Sequence, residues 1–268
     1  MANNSVSDAN KQPLQVLKQF TNARIALGRA GTSLPIQANL DFQLAHALAR
    51  DAVSIPLDFA ALTQQLSALH AVIPLQSQVE NHSEYLQRPD KGRLQSPESR
   101  EKLESSQIIA ATTDIAIIVA DGLSSTAIAN HASALLNILI PKLQESGFSL
   151  APILLARYAR VAIGDPIGEI CNAKMSVVLI GERPGLSSPD SMGIYFTYQP
   201  KSGNTDAQRN CISNIHSQGL DYQQAINKLM FLIHESCRLK ISGVHLKDAS
   251  EEGSVLEDQP RHHNFLLE

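Results

Sequence analysis

The chain has 268 residues, 43% of them hydrophobic, which is enough for one large or two modest domains around a buried core. Its 22 basic and 26 acidic residues leave a net charge of −4 without a dense Lys/Arg stripe, so nucleic acid and anionic membranes are poor partners. Three cysteines without a CxxC pair (Cys171, Cys211, Cys237), no signal peptide, and apolar runs too short for a bilayer point to a cytoplasmic protein.

Residues 1–12 are polar. Pro13 to Leu27 carries apolar residues at roughly helical spacing, and Gly28-Arg-Ala-Gly31 breaks it. Ser33 reads as an N-cap, opening a second helix through Ile36, Leu40, Leu44, Ala47 and Leu48. A third helix is expected over Leu57–Leu69, a short strand over Ala71–Leu75, and a charged helix over Pro97–Gln107. Four elements then alternate in period: strand Asp114–Ala120, helix Ser124–Gly147, strand Phe148–Leu155 and helix Pro166–Lys174. Strands Met175–Ile180 and Ser191–Tyr198 follow, with a closing helix over Tyr222–Lys240. Two right-handed crossovers predict parallel strands side by side. The expected class is α/β: a Rossmann-like parallel sheet with helices on both faces, preceded by a smaller, mostly helical N-terminal region. The expected division is an N-terminal arm over 1–23, the helical region over 24–110, the Rossmann-like domain over 111–246 and a polar tail over 247–268.

Neither G-x-G-x-x-G nor G-x-x-x-x-G-K-[ST] occurs, and H-E-x-x-H is absent. The informative pieces are polar segments at expected strand ends, where open α/β sheets bind ligands. Asp121-Gly-Leu-Ser124 joins a strand to a helix N-terminus, which favours an anion or an amide oxygen. Alternatively, the serine caps the helix and Gly122 makes the turn. Arg157-Tyr-Ala-Arg160 puts two arginines at a sheet mouth, for a carboxylate, a phosphate or a partner chain, or else for a structural pair with Asp165 or Glu169. In Gly181-Glu-Arg-Pro-Gly185, Glu182 can accept from ligand N–H groups or contact its neighbouring arginine in a tight turn. Cys211-Ile-Ser-Asn-Ile-His216 reads as a further loop. Its cysteine is either a small buried apolar group or one half of a Cys–His pair, and its histidine either structural or a base.

These four segments in this order, after Gly28-Arg-Ala-Gly31 and Tyr85-Leu-Gln-Arg-Pro-Asp-Lys-Gly-Arg93, resemble the small (light) subunit of ethanolamine ammonia-lyase from about Arg24 to Gly243. The resemblance implies a Rossmann-like subunit that covers adenosylcobalamin, base-on, against a large TIM-barrel subunit carrying the catalytic residues. The missing D-x-H-x-x-G agrees with the base-on mode. By motif match, the cofactor contacts fall on Val161, Glu182 and Cys211, with Arg160 a weaker candidate; no catalytic or metal-ligating residue is assigned to this chain. The implied activity is conversion of ethanolamine to acetaldehyde and ammonia by radical amino migration in a hetero-oligomer. Family members often carry a long N-terminal extension linked to bacterial microcompartments, whereas only residues 1–23 precede the match here. The readings kept beside it are a stand-alone α/β nucleotide-binding protein and a scaffold for a large subunit.

Overall fold

A computed structural model describes residues 20–21, 23–25, 27–29, 31–106 and 113–248. The expected polar start, most of the helix over 13–27, and the tail beyond 248 lie outside the described residues. In chain order the elements are α1 (Ile36–Ser54), α2 (Phe59–Ser67), β1 (Val72–Gln76), α3 (His82–Gln87), α4 (Pro97–Glu104), β2 (Thr113–Ala120) and α5 (Ser125–Glu145). They continue with β3 (Ile153–Arg157), α6 (Gly164–Ile170), β4 (Ala173–Gly181), β5 (Met192–Tyr198), β6 (Arg209–Ile215) and α7 (Tyr222–Leu239).

The strands form one sheet in the order β1-β3-β2-β4-β5-β6. Its first four strands are parallel, as the β-branched runs predict, because both their faces are covered. Alternate residues of β2 serve two cores. Ile115, Ile117 and Val119 pack with α5 and α7, while Ala116, Ile118 and Ala120 pack with Ile163 and Ile167 around α6. The class is therefore α/β with helices on both faces.

Two details depart from expectation. The sheet is mixed, because β5 and β6 run antiparallel, joined to β4 and to each other by chain reversals instead of helical crossovers. Finally, Cys211–Ile215 belongs to β6 and is not a loop. A register shift between Met192 and Ile194 opposite it breaks the alternation, so Ile212 and Ile215, three apart, both point inward.

β1 is the edge strand beside β3, so a segment expected among N-terminal helices contributes to the main sheet. α1 has an unusual orientation. Ala52 is its buried residue, Ala38, Ala45 and Ala49 are half-buried, and Ile36, Leu40, Leu44 and Leu48 are exposed. The alanines let the helix lie close to the body, and the large apolar residues face outward. No described helix is long and apolar enough to cross a membrane.

Candidate functional site

β2, β3 and β4 are parallel and β6 runs the same way as β4, so all four polar segments emerge at one edge of the sheet. The chain leaves β2 for α5 on one face and β3 for α6 on the other. The crevice between those strand ends is a topological switch point.

Asp121 is buried there. Its Oδ1 accepts the N–H groups of Gly122 (3.0 Å) and Ala159 (3.0 Å), and its Oδ2 accepts the N–H of Tyr158 (2.7 Å). Burial pushes its carboxyl up to about 6 against those three donors, which favour the charged form. The aspartate therefore fastens the end of β2 to the loop after β3. That loop needs fastening, since Tyr158 has φ +52°, a conformation side chains rarely adopt. Gly122 has φ +65°, and a Cβ there would run into the Gly181 carbonyl oxygen. The Ser124 hydroxyl accepts the Ala127 N–H (3.2 Å) and donates to the Pro189 carbonyl (2.9 Å). Of the two readings of Asp121-Gly-Leu-Ser124, the cap-and-turn reading is what the structure contains.

Neither arginine of Arg157-Tyr-Ala-Arg160 pairs with Asp165 or Glu169. Asp165 is bound to buried Arg209, and Glu169 accepts from Ser202. Arg157 lies over the Phe59 ring (4.3 Å) and Arg160 over the Tyr85 ring (4.2 Å). Arg160 Nη2 also donates to the Tyr85 carbonyl (2.9 Å), and the Arg160 N–H to Gly92 O (2.7 Å). The Tyr85 hydroxyl donates to Ala159 O (3.0 Å). Tyr85-Leu-Gln-Arg-Pro-Asp-Lys-Gly-Arg93 is thus built onto the arginine loop. Gly92 is obligatory, because a Cβ would meet Arg160 Cγ and the Tyr158 carbonyl.

A cavity of about 540 Å³ opens between these loops, lined among others by Tyr85, Arg160, Val161, Glu182, Arg183 and Tyr195. The Val161 carbonyl accepts the Gly164 N–H and keeps one lone pair. Glu182 makes no ion pair with Arg183. Its Oε2 accepts from the Ser191 hydroxyl (2.6 Å) and the Asn214 N–H (3.3 Å), while Oε1 has no hydrogen-bond partner among the described residues. Gly193 leaves room for that oxygen, since a Cβ would lie 2.8 Å from it. Cys211 stands directly opposite Tyr195 in the β5–β6 register, so it flanks the same cavity. Cys211 is exposed as a residue, yet neighbours around its sulfur push the thiol up; the Tyr195 contact lowers it and the Glu182 charge raises it. It remains a protonated thiol near neutral pH.

His216 is structural. The Gln218 N–H donates to its Nδ1 (3.3 Å), which leaves Nε2 to donate to Asn214 Oδ1 (2.9 Å). Asn214 sits at φ +65° and ties this turn to Glu182. A second buried histidine, His131, shares hydrogen bonds with the Tyr222 hydroxyl (2.6 Å) and Asp190 (3.3 Å), holding the loop after Glu182 to α5 and α7.

Of the residues singled out from sequence, Val161, Glu182 and Arg160 line one cavity and Cys211 flanks it. Tyr195, Ser191, Asn214 and Arg93 were missed as site residues. Tyr195 reads as an ordinary strand residue, and Ser191 and Asn214 gain their roles only by folding onto Glu182. An adjoining cavity of about 360 Å³ shares Tyr85 and Gly122 with the first, and Arg157, Tyr158, His82 and Phe59 line it.

A family model described as ethanolamine ammonia-lyase light chain (EutC) matches residues 11–247. The ethanolamine ammonia-lyase small subunit of Azotobacter vinelandii (strain DJ) is 50% identical over 264 residues, covering 97% of each chain. That of Pseudomonas aeruginosa (strain UCBPP-PA14) is 48% identical over 270 residues, covering 100% of this chain and 99% of the relative. That of Pseudomonas fluorescens (strain SBW25) is 47% identical over 264 residues, covering 97% and 95%.

Proposed function

Since the chain belongs to the ethanolamine ammonia-lyase light-chain family, we propose that it is the cofactor-holding, non-catalytic subunit of an adenosylcobalamin-dependent ethanolamine ammonia-lyase. The cofactor, in its base-on form, would lie against Val161, Glu182 and Cys211, at the boundary with a large TIM-barrel subunit in a hetero-oligomer in the cytoplasm. The observation that carries this reading is the asymmetry of Glu182. Two donors fix Oε2 and leave Oε1 as a pre-oriented acceptor in an open cavity, which suits the amide N–H groups on the rim of a corrin.

The neighbouring groups fit. The spare lone pair on the Val161 carbonyl suits another amide arm, and a protonated Cys211 beside Tyr195 is a small contact for a flat apolar flank. Bound adenosylcobalamin would supply the radical chemistry that converts ethanolamine to acetaldehyde and ammonia, by homolysis of its cobalt–carbon bond. This chain's residues bind and orient. Cys211 is not a thiolate, and the ring nitrogens of His216 are both engaged, so no nucleophile–base pair is poised here.

The exposed residues Ile36, Leu40, Leu44 and Leu48 form the apolar stripe that a subunit interface would cover, and we assign it to the large subunit. The stand-alone nucleotide-binding alternative is weaker. The Asp121 side chain takes the Gly122 amide, and Ser124 caps α5, so the β2–α5 turn offers little to a phosphate.

The test is co-expression with the large subunit and an ammonia-release assay with and without adenosylcobalamin. Activity should require both subunits and the cofactor; turnover by the purified chain alone would refute the non-catalytic role. In the complex, Glu182→Gln should weaken cofactor binding by roughly 10- to 100-fold, the loss of a charge-assisted bond of about 1.5–3 kcal/mol. An unchanged dissociation constant would remove Glu182 from the site. Cys211→Ala should bind and turn over normally, whereas Cys211→Trp should block the cofactor. An inactive Ala variant that still binds cofactor would contradict the passive role.

A further inference from the structure

Three arginines, Arg93, Arg160 and Arg183, line the cavity beside Glu182, and none forms an ion pair among the described residues. Elsewhere, Arg88, Arg100, Arg209 and Arg238 each have a carboxylate partner. Two carboxylates border the same cavity and pair with none of the three: Asp206 holds Arg209, and Glu182 takes Ser191 and Asn214 on Oε2, leaving Oε1 open. The side chains of Arg93 and Arg183 make no hydrogen bond among the described residues. Arg160 is fixed by the Tyr85 ring and carbonyl, yet its Nε is buried without any partner.

A buried donor left unpaired is costly, and guanidinium groups stay charged at every accessible pH. Three like charges around one hollow repel each other unless an anion joins them. Planar guanidinium forks match tetrahedral oxyanions in shape and charge. We infer that this cavity is a phosphate-binding site, with Arg160 as the fixed donor and Arg93 and Arg183 closing on the anion from the rim. This deepens the function proposed above and rests on it. Cobalamin carries one anionic group, the phosphodiester that links its corrin arm to its nucleotide, and that diester is the ligand we assign. Free phosphate has the same chemistry and is the other source.

The experiment uses the complete complex with the large subunit and follows corrinoid binding by absorbance titration. The probes are cobalamin and cobinamide, which keeps the corrin but lacks phosphate and nucleotide; inorganic phosphate is titrated separately by calorimetry. Arg93→Ala/Arg183→Ala changes only exposed side chains, so it reports even where Arg160→Met disturbs packing against Tyr85. Either variant should weaken cobalamin binding about 10- to 100-fold and leave cobinamide within about twofold. Equal weakening of both corrinoids, or of neither, overturns the phosphate site while leaving the cofactor reading intact. Loss of co-purification with the large subunit also overturns it, because the arginines would then serve partner carboxylates. Should the wild-type complex bind neither corrinoid, the cofactor reading fails and inorganic phosphate decides. Binding that the variants abolish keeps the site for free phosphate, and no binding ends it.

Discussion

The mouth of the sheet and helix α1 solve opposite problems. At the mouth, nearly every polar group that positions another residue is itself held: Asp121 by three N–H groups, Glu182 Oε2 by Ser191 and Asn214, His216 by Asn214 and Gln218. α1 instead sets small alanines against the body and leaves Ile36 79% and Leu44 62% exposed. The first region is finished within the chain, so its geometry is available before any ligand arrives. The second carries apolar surface that this chain does not cover in the described residues. Pre-organisation therefore belongs to the mouth, and α1 is suited to assembly.

Substitutions in the buried junctions that fix the mouth should damage the fold, and those on the outer face of α1 should not. The largest effect is expected from Gly122→Ala, which demands a positive φ from alanine and drives its Cβ into the Gly181 carbonyl. A loss of about 2–5 kcal/mol should appear as a melting point lower by roughly 10 °C in calorimetry. A variant as stable as the parent would mean the β2–α5 turn is not the rigid junction described.

Asp121→Asn comes next. A carboxamide has one acceptor atom where the carboxylate has two, so a loop N–H is stranded at a cost of about 1–3 kcal/mol. The penalty should depend on pH. The folded carboxyl is raised to about 6, above its ordinary value of 3.8, so the native state holds more protons between those values. Its stabilising contribution is then full below about 4 and falls as pH rises through 6. The gap between parent and variant should be widest in acid and narrow towards neutral pH, as urea titrations at several pH values will read. A gap that widens with pH would reverse the sign and imply a lowered carboxyl.

The smallest effect on the chain itself is expected from Leu44→Glu, within about 0.5 kcal/mol, because the side chain is already in water. Its effect should appear instead in co-purification with the large subunit, which should fall while circular dichroism is unchanged. Undiminished co-purification would place that interface elsewhere and remove the contrast drawn above.

Much was legible in advance because local rules act alone there. The β-branched runs of β2 and β4 mark buried strands, Ser124 with the residues after it marks a helix start, and the parallel core follows from alternating elements. Glu182 and Arg160 were legible as candidates because they are polar groups at strand ends that packing alone does not require, whereas Val161 was reached only through the family resemblance. Two things escaped. β6 did so because its register shift hides the alternation on which strand reading depends. The antiparallel edge did so because strand direction is set by how connections pack, not by the strand's own residues.

The division of labour follows from the range of the forces. By itself the sequence determined the α/β class, the polar loops and the family resemblance, all properties of neighbours along the chain. Tertiary structure alone decided that Asp121 clamps the arginine loop, that Glu182 keeps one oxygen free, and that α1 turns its leucines outward. Each of these depends on partners that local spacing does not bring together: Tyr158 and Ala159 for Asp121, Ser191 across the β4–β5 reversal and Asn214 in β6 for Glu182, and the whole packed body for α1. Spacing along a chain fixes which face a side chain is on, but only folding brings a second face to meet it.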